Sequence, residues 1–415
     1  MKTIQRRGIS ICLIILLSLL LVPVFSHAEE GGGPTAEEVE QLKREIDDLK
    51  EQVDSMDKHI IHRPDAQERV KMFDGLRFAV GLTGVAQGSS GANDLAGQDQ
   101  TDVSGSLDLE IEAEMGERGT AFLLIESRDG AGLTDEIETL HGINADAVDD
   151  DFSLKITEAW YEHVFLNERA VLTLGKVDLT NYFDGNAVAN DETLQFLADG
   201  FVNNIVIEFP EDNGPGLRAA FSLNERLELS FGFAESDGDL EDFFRDGFGI
   251  IEMTYKPKLH DREWNYRLAL WSNLSDHEEW KNPSHNKEEN WGVGLSFDQP
   301  LSERVTAFLR AGIQDDSVSQ VDWGVSLGGE FRSLIPSREK DILAFALGYA
   351  HLSRDYEDSV SPLDTAHEQM LEIYYAIHVN EYLVLSPDLQ VIRNPAGLAD
   401  ADTITLLGVR AQIFF

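Results

Sequence analysis

The stretch DTITLLGVRAQIFF, residues 402–415, decides the fold. Leu407, Val409, Ala411, Ile413 and Phe415 form one apolar face, and Gly408, Arg410 and Gln412 fall between them. Successive side chains of a strand point to opposite sides, so this is the pattern of a strand with lipid on one side and water on the other. One such strand is weak evidence, and the rest of the chain must repeat it.

It does. Leu107, Leu109, Ile111, Ala113 and Met115 interleave with Asp108, Glu110, Glu112 and Glu114. Similar alternation covers 76–86, 119–127, 152–165, 169–178, 216–223, 226–235, 247–256, 263–273, 289–298, 303–314, 321–332, 341–352, 367–379 and 382–393. With 107–115 and the last strand, sixteen segments are expected. Alternate connections are short, as at Asn167-Glu168 and Asn224-Glu225, while the others are long and polar. Short turns on one rim and long loops on the other are the asymmetry of a bacterial outer-membrane barrel. The stretch 203–209 looks like a further strand. Counting it would invert every later loop, so it is assigned to the connection 179–215, expected to be a long inward loop that narrows the channel. The fold class is therefore all-β, a 16-stranded antiparallel transmembrane β-barrel.

Ahead of the barrel the reading differs. Lys2, Arg6 and Arg7, an apolar run over 9–21 and Ser26-His27-Ala28 give a signal peptide at 1–28. A linker at 29–35 follows. Val39, Leu42, Ile46, Leu49, Val53, Met56 and Ile60 step by 3 and 4, which predicts a coiled-coil helix at 36–61, placed in the periplasm. Its β-branched a positions and Leu at d prefer two strands. A second linker, 62–75, leads to the barrel domain at 76–415.

The formal net charge is −43 and falls to −46 once the three basic residues of the signal leave. Phosphate binding needs Lys and Arg, so a nucleic-acid partner is excluded. The single cysteine, Cys12, lies in the signal, which removes disulfide and thiol chemistry from the exported chain. No hydrolase elbow, zinc-protease motif or phosphate loop occurs, so no enzyme, catalytic residue, cofactor or metal site is expected. Asp146 and Asp149 to Asp151 read as a solvated acidic loop, or as a divalent-cation site between loops.

Sixteen strands enclose an aqueous lumen. With apolar parity taken as outward, the pore-lining candidates are Asp108, Glu110, Glu112, Glu114, Lys176, Asp178, Arg267, Trp271, Arg310, Arg332, Tyr374, Asp388, Gln390 and Arg410. Opposed acidic and basic sectors would set a field across the pore. Trp271, Tyr374 and Phe308 share the inward parity and are candidates to stack on sugar faces, whereas Trp291, Trp323 and Tyr349 read as interfacial girdle. Val409, Ile413 and Phe415 form the assembly signal, to be read by the barrel assembly machinery.

The run Ile156-Thr157-Glu158-Ala159-Trp160-Tyr161-Glu162 with Leu174-Gly175-Lys176-Val177-Asp178 resembles the "SEAWYEQ…LRLGKLD" signature of OprB-type carbohydrate-selective porins. Glu372-Ile373-Tyr374-Tyr375, Leu385 to Ile392, Asn394-Pro395 and Leu407 to Arg410 look like that family's "ELYY…LTPDLQYIINP…LGLR" ending. The usual "INPGG" stands here as Arg393-Asn394-Pro395-Ala396-Gly397. The resemblance implies an outer-membrane porin passing sugars by diffusion, embedded among lipid and lipopolysaccharide, and suggests a homotrimer. A cation-preferring general porin, or a tether whose coiled coil grips cell wall or a periplasmic partner, is the alternative.

Overall fold

The computed structural model describes residues 70–73, 75–147, 153–236, 245–259, 262–287 and 289–415. The expected signal peptide and coiled coil lie outside the described residues, as do Asp149 to Asp151.

Sixteen strands close into one barrel. They are β1 Leu76–Ser90, β2 Thr101–Glu114, β3 Gly119–Asp129, β4 Lys155–Phe165, β5 Ala170–Val177, β6 Gly214–Asn224, β7 Leu227–Glu235 and β8 Gly247–Tyr255. Then come β9 Asn265–Asn273, β10 Asn290–Pro300, β11 Val305–Gln314, β12 Val321–Arg332, β13 Ile342–Leu352, β14 Glu368–His378, β15 Leu383–Arg393 and β16 Ile404–Phe414. Each is antiparallel to its neighbours, and β1 pairs with β16 from Gly81↔Phe414 to Ser90↔Thr405, which leaves no free edge. In hydrocarbon every backbone N–H and C=O must find a partner within the protein, and a closed ring of strands provides one. A further short strand, Val70–Phe73, falls within the stretch read as linker and pairs with β1.

Directly opposed residues share a face of the sheet. The register therefore fixes the outer wall: Leu407 is 65% exposed, and Val409, Leu270, Ile313 and Trp291 are exposed beside it in character. A long exposed apolar band around a barrel is the surface lipid covers. Strand ends differ from expectation mainly at β1 and β2, which run out to Ser90 and begin at Thr101. The residues 203–209 form no strand, so the chain passes from β5 to β6 through a single long connection.

Candidate functional site

The site is the inside of the barrel, and two loops occupy much of it. The β3–β4 connection buries Leu133, Ile137 and Ile143. The β5–β6 connection buries Phe183, Val188, Phe196, Phe201 and Val206. Both pack on inward residues of β13 to β16, namely Ala344, Ala346, Met370, Tyr374, Ala376, Val384, Ile392, Ile404 and Leu406. A second cluster joins Leu179, Tyr182, Phe183 and Ile207 to Phe248, Ile250, Ala269 and Trp271 of β8 and β9.

The wall is shaped to receive this chain. A Cβ on Gly294 would meet Ile207, one on Gly312 would meet Val206, one on Gly324 would meet Ile205 and one on Gly348 would meet His141. These glycines all stand at inward positions of β10 to β13. Protein interiors pack without spare volume, so the missing side chains are the space the loop fills.

Charged wall residues grip the loop's main chain. Arg310 donates to the carbonyls of Ala189, Phe201 and Asp184 and to Asn190, and pairs with the Asp184 carboxylate at 2.8 Å. Arg410 donates to the carbonyls of Glu192 and Gln195 at 2.6 and 2.8 Å. Glu372 accepts from the amides of Leu197 and Ala198, and Glu368 from those of Leu140, His141 and Ala396. Glu252 accepts from the Asp184 amide. Buried charges must be paired or hydrogen-bonded, and here the partners are peptide groups of the loop.

The candidates therefore separate. Arg310 and Arg410 are each 1% exposed, Tyr374 2% and Trp271 4%, all inward but covered by the loop rather than wetted. Phe308 is equally covered. Gln390 donates to the Ile143 carbonyl, and Asp388 is buried opposite Tyr374. Arg267 holds Asp298 at 2.6 Å, and Arg332 lies half-exposed against Glu330 on the rim of short turns. Of the expected basic sector, Arg310 and Arg410 are thus consumed by packing and Arg267 by its ion pair, while Arg332 sits at the rim.

Lys176 is a correction. It stands opposite Ala159 and shares the face of Leu174, on the outside of the wall. Parity misled there because Val177, on the inner face, is apolar for packing against Leu179 and Phe183 instead of lipid. Asp178 lies beyond the end of β5 and caps the turn Leu179–Asn181 by accepting from the Thr180 amide.

Asp108, Glu110, Glu112 and Glu114 do stand on the inner face of β2, opposite Glu126, Leu124, Phe122 and Thr120. Arg77 bonds Glu112 and Glu114 at 3.0 Å each. Arg128 lies beside Glu126 at 3.2 Å and is partly exposed. From the loops, Asp146 accepts from Ser106 at 2.9 Å, and enclosure pushes its carboxyl up to about 6. Enclosure, then Asp191, pushes the carboxyl of Glu192 up to about 8. No group of three acidic or histidine side chains among the described residues converges as a metal site.

Sequence reasoning missed the aromatic feature of this side. Trp160 stacks on Phe122 with centroids 4.9 Å apart and meets Tyr182 edge-on at 6.4 Å. Its indole donates to Glu158, which also accepts from Asn181, and Arg218 lies 5.0 Å over the Tyr182 ring. The signal was present: Trp160 shares parity with Glu158 and Glu162, both inward.

Comparison with known proteins gives four likenesses. The family description "Carbohydrate-selective porin, OprB family" matches residues 92–415. An uncharacterised protein of Aquifex aeolicus (strain VF5) is 29% identical over 225 residues, 54% of this chain and 60% of its own length. Porin B of Pseudomonas aeruginosa is 25% identical over 150 residues, 32% of this chain and 30% of its own. The chain thus spans less than two thirds of the curated relatives it matches. The solved structure "High pH structure of Pseudomonas putida OprB" shares the fold at a TM-score of 0.71 and 17% identity, over 82% of this chain and 94% of that one.

Proposed function

We propose, from the premise that this chain belongs to the OprB family of carbohydrate-selective porins, that its barrel is a diffusion channel for small hydrophilic solutes, carbohydrates foremost. The family is one of outer-membrane channels and not of enzymes. The observation that carries the reading is the contrast inside the wall: inward groups of β9 to β16 are buried under loop, while Asp108, Glu110, Glu114 and Glu126 of β2 and β3 stay partly or fully exposed on the inner face. The partly exposed edge of the Trp160 ring, next to Asn181, suits a sugar whose C–H face meets the ring while its hydroxyls bond the inward carboxylates of β2 and β3. Asp108, Glu110, Glu112 and Glu114 line that side in this reading. Arg267, Trp271, Arg310, Tyr374, Asp388, Gln390 and Arg410 define the channel by holding the loop. Liposome swelling with mono- and oligosaccharides tests it: sugars should permeate faster than apolar solutes of equal size, and Trp160→Ala should slow the sugars selectively. Equal rates for all solutes in both proteins would end the proposal.

One observation favours a second reading. With the wall arginines engaged by the loop, the groups left toward water on β2 to β4 are predominantly carboxylates, a field that draws cations. A cation-shifted reversal potential across a salt gradient is expected, and an anion-shifted one would reject it.

We propose further roles for the N-terminal residues and the last strand. Residues 1–28 direct export, 36–61 form a periplasmic coiled coil, and Val409, Ile413 and Phe415 present the last strand to the assembly machinery. The working unit is a homotrimer in lipid and lipopolysaccharide. Deleting 31–64 separates channel from tether: unchanged conductance with lost envelope attachment assigns the helix a tethering role.

A further inference from the structure

A cleft of about 320 Å³ opens on the outside of the barrel, away from the lumen. Its walls are Trp291, Ile313 and Trp323, and its upper edge carries Asp315, Asp316 and Asp322. The three apolar residues are exposed and stand at outward positions of β10, β11 and β12, next to the connections 274–289 and 315–320. Those connections belong to the rim of long loops, which faces outward from the cell in barrels of this kind. The cleft therefore sits where acyl chains give way to head groups.

Its chemistry has one sign. No lysine or arginine lines it. Asp315 is engaged, accepting from the Trp291 indole at 3.0 Å and from Ser317. Asp322 meets His351 at 2.7 Å through one oxygen. Trp323 is braced by stacking on Tyr349 and His351, at 5.2 and 4.9 Å. Two indoles below a line of carboxylates attract a cation both through the ring faces and by charge. The acidic and histidine side chains do not converge in threes on a metal-sized point among the described residues. A diffuse organic cation fits that arrangement better than a divalent ion.

We propose that this cleft binds the ammonium head group of an amphiphile lying in the outer leaflet, with its chain running down past Ile313 along the lipid-facing wall. Charge complementarity selects the occupant: a phosphate or carboxylate head would meet only like charge. The assignment rests on the membrane placement of the barrel and not on what the lumen passes.

Native mass spectrometry of the full-length protein in non-ionic detergent tests it, using a diacyl trimethylammonium lipid, a diacylglycerol and a phosphatidylglycerol of identical chains. One trimethylammonium lipid should be retained per barrel, about tenfold above either competitor. The double variant Asp316→Asn/Asp322→Asn should bring that preference to about twofold or less, and Trp323→Leu should weaken retention several-fold. Single-channel conductance should stay unchanged in both, which reports an intact barrel and separates this site from the solute path. Equal retention of the three lipids, preference that survives the double variant, or retention of phosphatidylglycerol dependent on magnesium would each overturn the proposal.

Discussion

The two halves of the inner wall use charge in opposite ways. On β9 to β16 arginines and glutamates are buried and hold peptide groups of the loop, above a floor of glycine and alanine. On β2 and β3 Asp108, Glu110, Glu114 and Glu126 stay at least partly exposed on the inner face, and Glu114 and Glu126 pair with partly exposed Arg77 and Arg128. The same residue types are fully buried where a loop covers them and stay partly exposed at Asp108, Glu110 and Glu126. Charge at an inward position therefore does not by itself define a channel lining.

The comparison breaks most visibly at Arg310. Arg310→Ala leaves Asp184 buried without its partner and frees several carbonyls, a loss of about 3–5 kcal/mol in loop attachment. Amides of 184–206 should exchange rapidly with deuterium and conductance should rise, while the barrel remains assembled. Gly294→Val tests the floor: the added side chain meets Ile207 and Asn204 of the loop and should cost it about 1–3 kcal/mol, read by the same exchange experiment.

On the open half, Glu110→Gln/Glu126→Gln should leave stability within about 0.5 kcal/mol, as for surface changes, but move the reversal potential toward anions. A potential that does not move would place the solute path elsewhere. A smaller effect follows from pH. The carboxyls of Asp146 and Glu192 lie above their ordinary 3.8 and 4.5, at about 6 and about 8. Folding then favours their protonated forms, so their contribution to loop packing is complete below the ordinary values. It fades as pH rises through about 6 and then about 8. Loop protection factors, with the base-catalysed intrinsic exchange rate divided out, should fall from about pH 5 to 9, and Glu192→Gln should flatten the upper part of that fall. Lys176→Gln, on the outer face, should change neither conductance nor selectivity.

The barrel was legible because its signals are local. Period-two alternation and turn residues such as Asn167-Glu168 and Asn224-Glu225 report strands and rims without knowledge of the whole. The contents of the lumen depend on which face a loop covers, which alternation does not encode. Tyr374 and Trp271 have the parity of wetted rings and are nonetheless core residues. Lys176 failed for the same reason, since Val177 is apolar for the loop's sake. A usable hint existed in the recurrence of Gly292, Gly294, Gly312, Gly324, Ala344, Ala346, Gly348 and Ala350 at inward positions. A lumen wall facing only water has no need of small residues in such a run.

Because the clamps close on amides and carbonyls, with Glu372 on Leu197 and Ala198 and Arg410 on Glu192 and Gln195, they are blind to which side chains those positions carry. Inheritance can rewrite this loop's partly exposed positions, such as Glu192 and Thr193, without unfastening it, while Leu197 and Ala198 stay fixed by burial. A scaffold of that kind lets permeability drift to new nutrients while the architecture stands still.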